Sequence, residues 1–150
     1  MEPRFICDVH LGKLAKALRM LGFDTAYQNS FTRKSLERIS VEERRILLSR
    51  NPVFAKNKKI HSYIITSEDA TAQIKSVTLN FDLKNKMRPF SLCLVCNEPL
   101  ERVSKELIVN QIPPNTAKYF TEFWQCNHCK RIYWKGSHYE RMLKEINFIL

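Results

Sequence analysis

The sequence predicts an α/β fold with a mainly parallel sheet, followed by a small cysteine-rich module and a C-terminal helix. Three observations lead there. Short apolar, β-rich runs alternate with helical patterns through the first half of the chain, the pattern of strands joined by crossover helices. Four of the five cysteines then fall into two Cys-x-x-Cys pairs, at 93–96 and 126–129. Between the two regions DLKNKMRPF, residues 82–90, forms a basic connector containing Pro89. The boundary is placed there, giving domains 1–89 and 90–150.

The elements follow in order. RFICDV opens as an apolar strand. Leu11, Leu14, Ala15, Leu18 and Leu21 then recur at helical spacing, so 10–21 forms a helix with one buried stripe, which Gly22 is placed to end. Lys13, Lys16 and Arg19 run along another face of that helix. DTAYQ is a second strand, 32–43 a second helix, and RILLS a third strand stopped by Pro52, with a short turn or helix near 52–58. SYIIT is the fourth strand and 68–81 a helix with Ser67 as its cap. Residues 104–120, with Pro113 and Pro114, form an excursion between the cysteine pairs. From Ser137 the chain is helical: Ser137 and Glu140 fit a capping box, and Tyr139, Met142, Leu143, Ile146 and Ile149 make an apolar stripe.

The 25 Lys and Arg exceed the 15 Asp and Glu, for a formal net charge of +10. Residues 1–89 hold 17 basic and 9 acidic side chains, and residues 90–150 hold 8 and 6. The positive field therefore belongs to the first domain, where it favours polyanions such as RNA, DNA or anionic lipid; solubility alone is the alternative. No apolar run approaches the roughly 18 residues of a membrane span, and MEPRFICDVH has no signal-peptide core. The expected location is the cytoplasm.

Two Cys-x-x-Cys pairs supply four thiolates, the set that zinc prefers in a closed tetrahedral site. Cys93, Cys96, Cys126 and Cys129 are therefore read as ligands of a structural zinc with no open position for an activated water. Two disulfides are the alternative, disfavoured in a reducing compartment. Four thiolates and one dication bring the formal charge of +10 to about +8 and leave the second module nearly neutral. Phe123, Trp124, Tyr133 and Trp134, beside Lys130, Arg131 and Lys135, either stack on bases or fill the thin core of the module. Cys7 lies in a strand and behaves as a small apolar residue.

Asp8 follows the first strand, where it either coordinates a metal or accepts hydrogen bonds from the first N–H groups of the next helix. An active metal nuclease gathers several carboxylates. The stretch after the second strand offers none before Glu37, and the third strand runs into Ser49, Arg50 and Asn51. Glu68 and Asp69 follow the fourth strand, where they also suit the first turn of a helix.

The stretches FICDVHLGKLAKALRMLGFDTAYQN, RILLSRN, CLVCNEPLERVSKE and EFWQCNHCKRIYWKGSHYERM resemble the Mut-seven C-terminal RNase family over nearly the whole chain. The resemblance implies a PIN-like α/β/α sandwich with a zinc ribbon, in which acids at the strand ends bind Mg²⁺ or Mn²⁺ and direct water at an RNA phosphodiester. Asp8 matches the first family acid. The family's acidic cluster before the second helix corresponds to SFTRKS, which has no carboxylate, and its Thr-Arg-Asp corresponds to Ser49-Arg50-Asn51.

These readings combine into an RNA-binding protein of the ribonuclease family whose cleavage is weakened or lost. Lys13, Lys16, Arg19, Arg50 and Asn51 are the expected RNA contacts, and Asp8 the remaining catalytic acid. An active Mg²⁺- or Mn²⁺-dependent ribonuclease using Asp8 with Glu68, Asp69 or Asp24 is the first alternative. An adaptor that binds a protein partner through the ribbon and final helix is the second.

Overall fold

The computed structural model describes residues 2–149, with side chains through Lys144. Strands β1 (Phe5–Cys7), β2 (Thr25–Ala26), β3 (Ile46–Ser49) and β4 (Ser62–Ile64) form a wholly parallel sheet in the order β2-β1-β3-β4. Parallel neighbours need crossovers. Helix α1 (Gly12–Met20) links β1 to β2, and α2 (Arg33–Glu42) links β2 to β3. A 3₁₀ turn, Pro52–Lys56, lies between β3 and β4, and α3 (Ala70–Asn80) follows β4.

Alternation along the central strands sorts their side chains onto two faces. Phe5, Cys7 and Leu48 pack with Leu14 and Leu18 of α1 and Val77 of α3. Ile6 and Leu47 pack on the other side with Leu36 of α2 and Phe54. The same parity carries Asp8 and Ser49, just past Cys7 and Leu48, toward the α2 side. This is the layered α/β arrangement that the sequence predicts.

Gly22 ends α1 as expected, for a physical reason that only glycine meets. Its φ of +94° is left-handed, and a Cβ there would stand 2.3 Å from the Arg88 carbonyl oxygen. The Phe23 N–H bonds to the Leu18 carbonyl and the Gly22 N–H to that of Arg19, a Schellman closure. At α2, Thr32 and Ser35 make a reciprocal capping box. The cap of α3 is Asp69, which accepts from the Ala72 N–H; Ser67, the expected cap, instead accepts from the Asp69 N–H.

The second sheet is antiparallel, with β5 (Leu100–Val103), β6 (Phe123–Cys126) and β7 (Ile132–Tyr133) in that order. Two short helices, α4 (Lys105–Ile108) and α5 (Pro114–Tyr119), fill the excursion between β5 and β6. Ile108, Ile112 and Phe123 form its core. Helix α6 (Ser137–Ile149) closes the chain, and its Met142 packs into the core of the first sheet. The expected apolar stripe continues to Ile146 and Ile149, whose side chains lie outside the described residues.

Candidate functional site

Asp8 stands at the carboxyl end of β1, half-buried. Its Oδ2 accepts from the Ser49 hydroxyl at 2.7 Å, and its Oδ1 from the Val9 N–H at 2.7 Å. It does not cap α1, whose preceding residue is Leu11. A cleft of about 450 Å³ opens beside it on the α2 side, lined also by His10, Arg33, Arg50 and Asn51, with Phe31 and Phe54 as apolar walls. Asp8 is the one carboxylate among the lining residues.

The structure thus brings Asp8, Arg50 and Asn51 together, and adds His10 and Arg33. Asn51 is committed: its side-chain oxygen accepts from the Val53 N–H and caps the 3₁₀ turn. Arg50 reaches the Thr66 carbonyl at 3.4 Å and, at 3.6 Å, Glu68, whose side chain is 86% exposed. Pairs so exposed contribute little and part readily. Asp69 is held as the α3 cap.

Two expectations are corrected here. Asp24 precedes β2, so it sits at the amino end of the sheet, away from the Asp8 pole, where it binds Arg45 at 2.8 Å, Arg4 and Asn97. Burial acts to raise its pKa, but hydrogen bonds from Asn97 and Arg45 and the charges of Arg45 and Arg4 outweigh that and hold it below the ordinary aspartate range. Arg19, expected on the exposed basic face, is 5% exposed. Its Nε donates to the Thr25 carbonyl at 2.9 Å, and its Nη1 to those of Leu94 and Val95 at 2.7 and 3.2 Å. Helical spacing placed it with Lys13 and Lys16, but at the C-terminal end of α1 the first cysteine turn covers Arg19 alone of the three. Lys13 and Lys16 are exposed and line a different groove, between α1 and α3.

The fit of Mg²⁺ or Mn²⁺ at the cleft follows from this donor set. Such ions need carboxylate oxygens, and the cleft offers one carboxylate already accepting two hydrogen bonds, beside two guanidinium-bearing residues. Among the described residues, no group of three or more metal-ligating side chains forms around Asp8. The residues do not fit a nuclease metal.

The four cysteines do fit zinc. Their Sγ atoms lie within 4.8 Å of one another, Cys93 and Cys129 at 3.6 Å, against edges of about 3.8 Å in a tetrahedron with Zn–S bonds of about 2.3 Å. The two turns are alike. The Cys96 N–H points at the Cys93 sulfur and the Cys129 N–H at that of Cys126. Asn97 and Lys130, next in each turn, take left-handed φ of 61° and 68° and donate back to the Cys93 and Cys126 carbonyls. Crowded thiols cannot all ionise without a cation. Burial, a hydrogen bond with Cys129 and the neighbouring sulfurs push Cys96 up to about 12. Burial opposes ionisation of Cys129 too, yet hydrogen bonds from Arg131 bring it down to about 6. Tyr133 adds an outer contact: its hydroxyl accepts from the Leu94 N–H, which leaves its proton free to donate to Cys93 Sγ at 3.1 Å.

The ribbon aromatics are largely engaged within the protein. Phe123 is fully buried against Trp134, and Trp124 stacks on Phe90 at 4.2 Å with Arg102 over its ring. Sequence reasoning missed His10, Arg33 and Asn97, and it gave Tyr133 a stacking or core-filling part but not its contact with Cys93. Arg33 had a signal, since the first turn of a helix after a parallel strand must lie at the carboxyl pole. Asn97 and Tyr133 had none beyond adjacency to a cysteine turn.

Fold and sites together define an α/β protein with an arginine-lined strand-end cleft and a cluster of four cysteines able to hold a metal ion. The Mut7-C RNAse domain model matches residues 3–146, nearly the whole chain, and the chain belongs to that family. No curated protein and no solved structure matches it.

Proposed function

We propose that this protein is an RNA-binding member of the PIN-like ribonucleases, acting in the cytoplasm, with metal-dependent cleavage weakened or lost. One observation carries the reading: the strand-end cleft presents Arg33, Arg50 and His10 around a single carboxylate that is already bonded to Ser49 and Val9. Guanidinium groups bind phosphate oxygens well; Arg33 and Arg50 pair with Glu37 and Glu68, which lie outside the cleft lining, so a divalent cation entering the cleft meets two guanidinium groups and the single carboxylate of Asp8. Membership of an RNase family supports RNA as the polyanion, and the formal net charge of +10 supplies its attraction. No helix among the described residues is long and apolar enough to cross a membrane. The zinc, held by Cys93, Cys96, Cys126 and Cys129, joins the two turns and activates nothing, because protein fills its coordination sphere.

The test is RNA affinity measured against salt, beside a cleavage assay with Mn²⁺. Counterion release makes log K fall with log salt by about 0.7 per phosphate contacted on single strands. Wild type should show a steep slope that Arg50→Ala and Arg33→Ala each reduce, with no cleavage distinguishable from Asp8→Asn. A flat slope rejects RNA binding. Turnover that disappears in Asp8→Asn instead establishes the active nuclease, with Glu68, which pairs with Arg50, as a further acid.

A further inference from the structure

Helices α1 and α3 lie side by side on one face of the parallel sheet, and α6 packs against α3. Where the three meet, a groove of about 400 Å³ opens, separate from the Asp8 cleft on the α2 side. One wall carries Lys13 and Lys16, one turn apart on α1. The other carries His138 and Arg141, one turn apart on α6. Ala17, Ile74 and Met142 give it an apolar floor.

Among the described residues the charge here has no carboxylate partner. No carboxylate lines the groove, and among the described residues Lys13, Lys16 and Arg141 make no ion pair. Several other surface arginines are paired, Arg33 with Glu37, Arg38 with Glu42 and Arg102 with Glu122. The position matters too. Lys13 belongs to the first turn of the helix that follows Asp8, and Ala70 and Thr71, also at the groove, belong to the first turn of α3. The groove therefore begins at the same pole of the sheet as the cleft.

We infer that this groove is a second contact site for single-stranded RNA, in which Arg141 and His138 of α6 complete a phosphate track begun by Lys13 and Lys16. The inference rests on the proposed RNA-binding reading and extends it: the C-terminal helix supplies one wall of the RNA path. Cations on both walls suit a phosphate chain, and the apolar floor suits the faces of unpaired bases, which a duplex keeps stacked away. An acidic peptide with apolar side chains would satisfy walls and floor alike; membership of an RNase family favours RNA, and an unchanged RNA salt slope in Arg141→Ala and Lys16→Ala is the outcome that points to the peptide instead.

The experiment uses the zinc-loaded full chain and fluorescent oligouridylates of increasing length, with affinity read by anisotropy over a salt series. On long oligouridylates Arg141→Ala should reduce the magnitude of the log K against log salt slope by about 0.7, one phosphate contact. On strands too short to reach beyond the Asp8 cleft the slope should stay unchanged. Lys16→Ala should behave alike, and Arg141→Lys should restore the slope. Arg141 is exposed, and equal thermal unfolding and zinc content verify that its variants fold. A wild-type slope that Arg50→Ala reduces but Arg141→Ala and Lys16→Ala leave intact at every length overturns this site alone. A flat wild-type slope removes the parent reading with it.

Discussion

The Ser49 hydroxyl lies 2.7 Å from Oδ2 of Asp8 and donates to it across the ends of two adjacent parallel strands. That bond occupies the oxygen which a metal would approach, and nothing anionic beside it compensates. Asn51, two residues beyond Ser49, lines the same cleft without a charge.

Asn51→Asp is therefore expected to restore part of a metal site. The replacement keeps the cap on the Val53 N–H, since an aspartate accepts that bond equally well. It adds one negative charge to the cleft that Asp8 lines. Mn²⁺ affinity, followed by the paramagnetic signal of the free ion, should rise by about tenfold or more, given how strongly carboxylate count tunes such sites. Equal Mn²⁺ binding by variant and wild type would show that the shortage of charge at this pole is not the limit.

Arg19→Met tests the buried guanidinium. The variant keeps the apolar stem but leaves the Thr25, Leu94 and Val95 carbonyls without their donor. Orphaning the buried Thr25 carbonyl, while water can reach those of Leu94 and Val95, should cost about 1–3 kcal/mol in urea unfolding. The salt slope of RNA binding should not move, because no part of that charge faces solvent. A reduced slope with unchanged stability would return Arg19 to the RNA-binding face.

How much of this was legible in the chain follows from which forces are local. The Leu11, Leu14, Leu18 periodicity and the Gly22 stop were readable because helix amphipathicity and left-handed φ are properties of a few neighbouring residues. The cysteine quartet was readable because zinc chemistry dictates its spacing. The fate of Arg19 was not, since its carbonyl partners lie 75 and 76 residues away at Leu94 and Val95. Asp24 was misassigned although it opens the strand read from DTAYQ: in a parallel sheet the first residue of a strand lies at the amino end, opposite the pole that Asp8 occupies after β1. Arg33 entered the cleft only once the α2 start was placed against the end of β1.

Tyr133→Phe should loosen zinc without unfolding the module. It removes the hydroxyl that bridges the Leu94 N–H and Cys93 Sγ and leaves the ring. Outer-shell partners of this kind are worth about 10–100-fold in metal affinity. Transfer of zinc to a competing chromophoric chelator should be faster by about that factor. Cys96→Ser, which removes a ligand, should instead unfold the second sheet, since structural zinc contributes on the order of 10 kcal/mol of folding free energy. Less than one zinc per chain in protein purified without chelator would contradict the centre itself.

Asp24 sets an acid limit on the junction between the two sheets. Its Oδ1 accepts from buried Arg45 at 2.8 Å and from the Asn97 side chain at 2.7 Å, while the Asn97 side-chain oxygen accepts from the Thr25 N–H at 3.1 Å. This ties the residue after the first cysteine turn to the open edge of β2. The folded carboxyl titrates below its ordinary value, so its contribution is fully present above the unfolded pKa, about 3.9, and is lost as pH falls through the lower folded value. Asp24→Asn should lower urea stability by about 1 kcal/mol at neutral pH, because buried Arg45 loses one of two carboxylate partners, keeping Glu43 at 2.8 Å, and Asp24 is partly screened by solvent. The gap between variant and wild type should close as pH falls below about 3.9. Acid also protonates the cysteines of both proteins, so the difference between them isolates Asp24. A carbon-13 titration of the Asp24 carboxyl with its midpoint at or above the ordinary aspartate value would show that burial, not the Asn97 and Arg45 hydrogen bonds, governs this carboxylate.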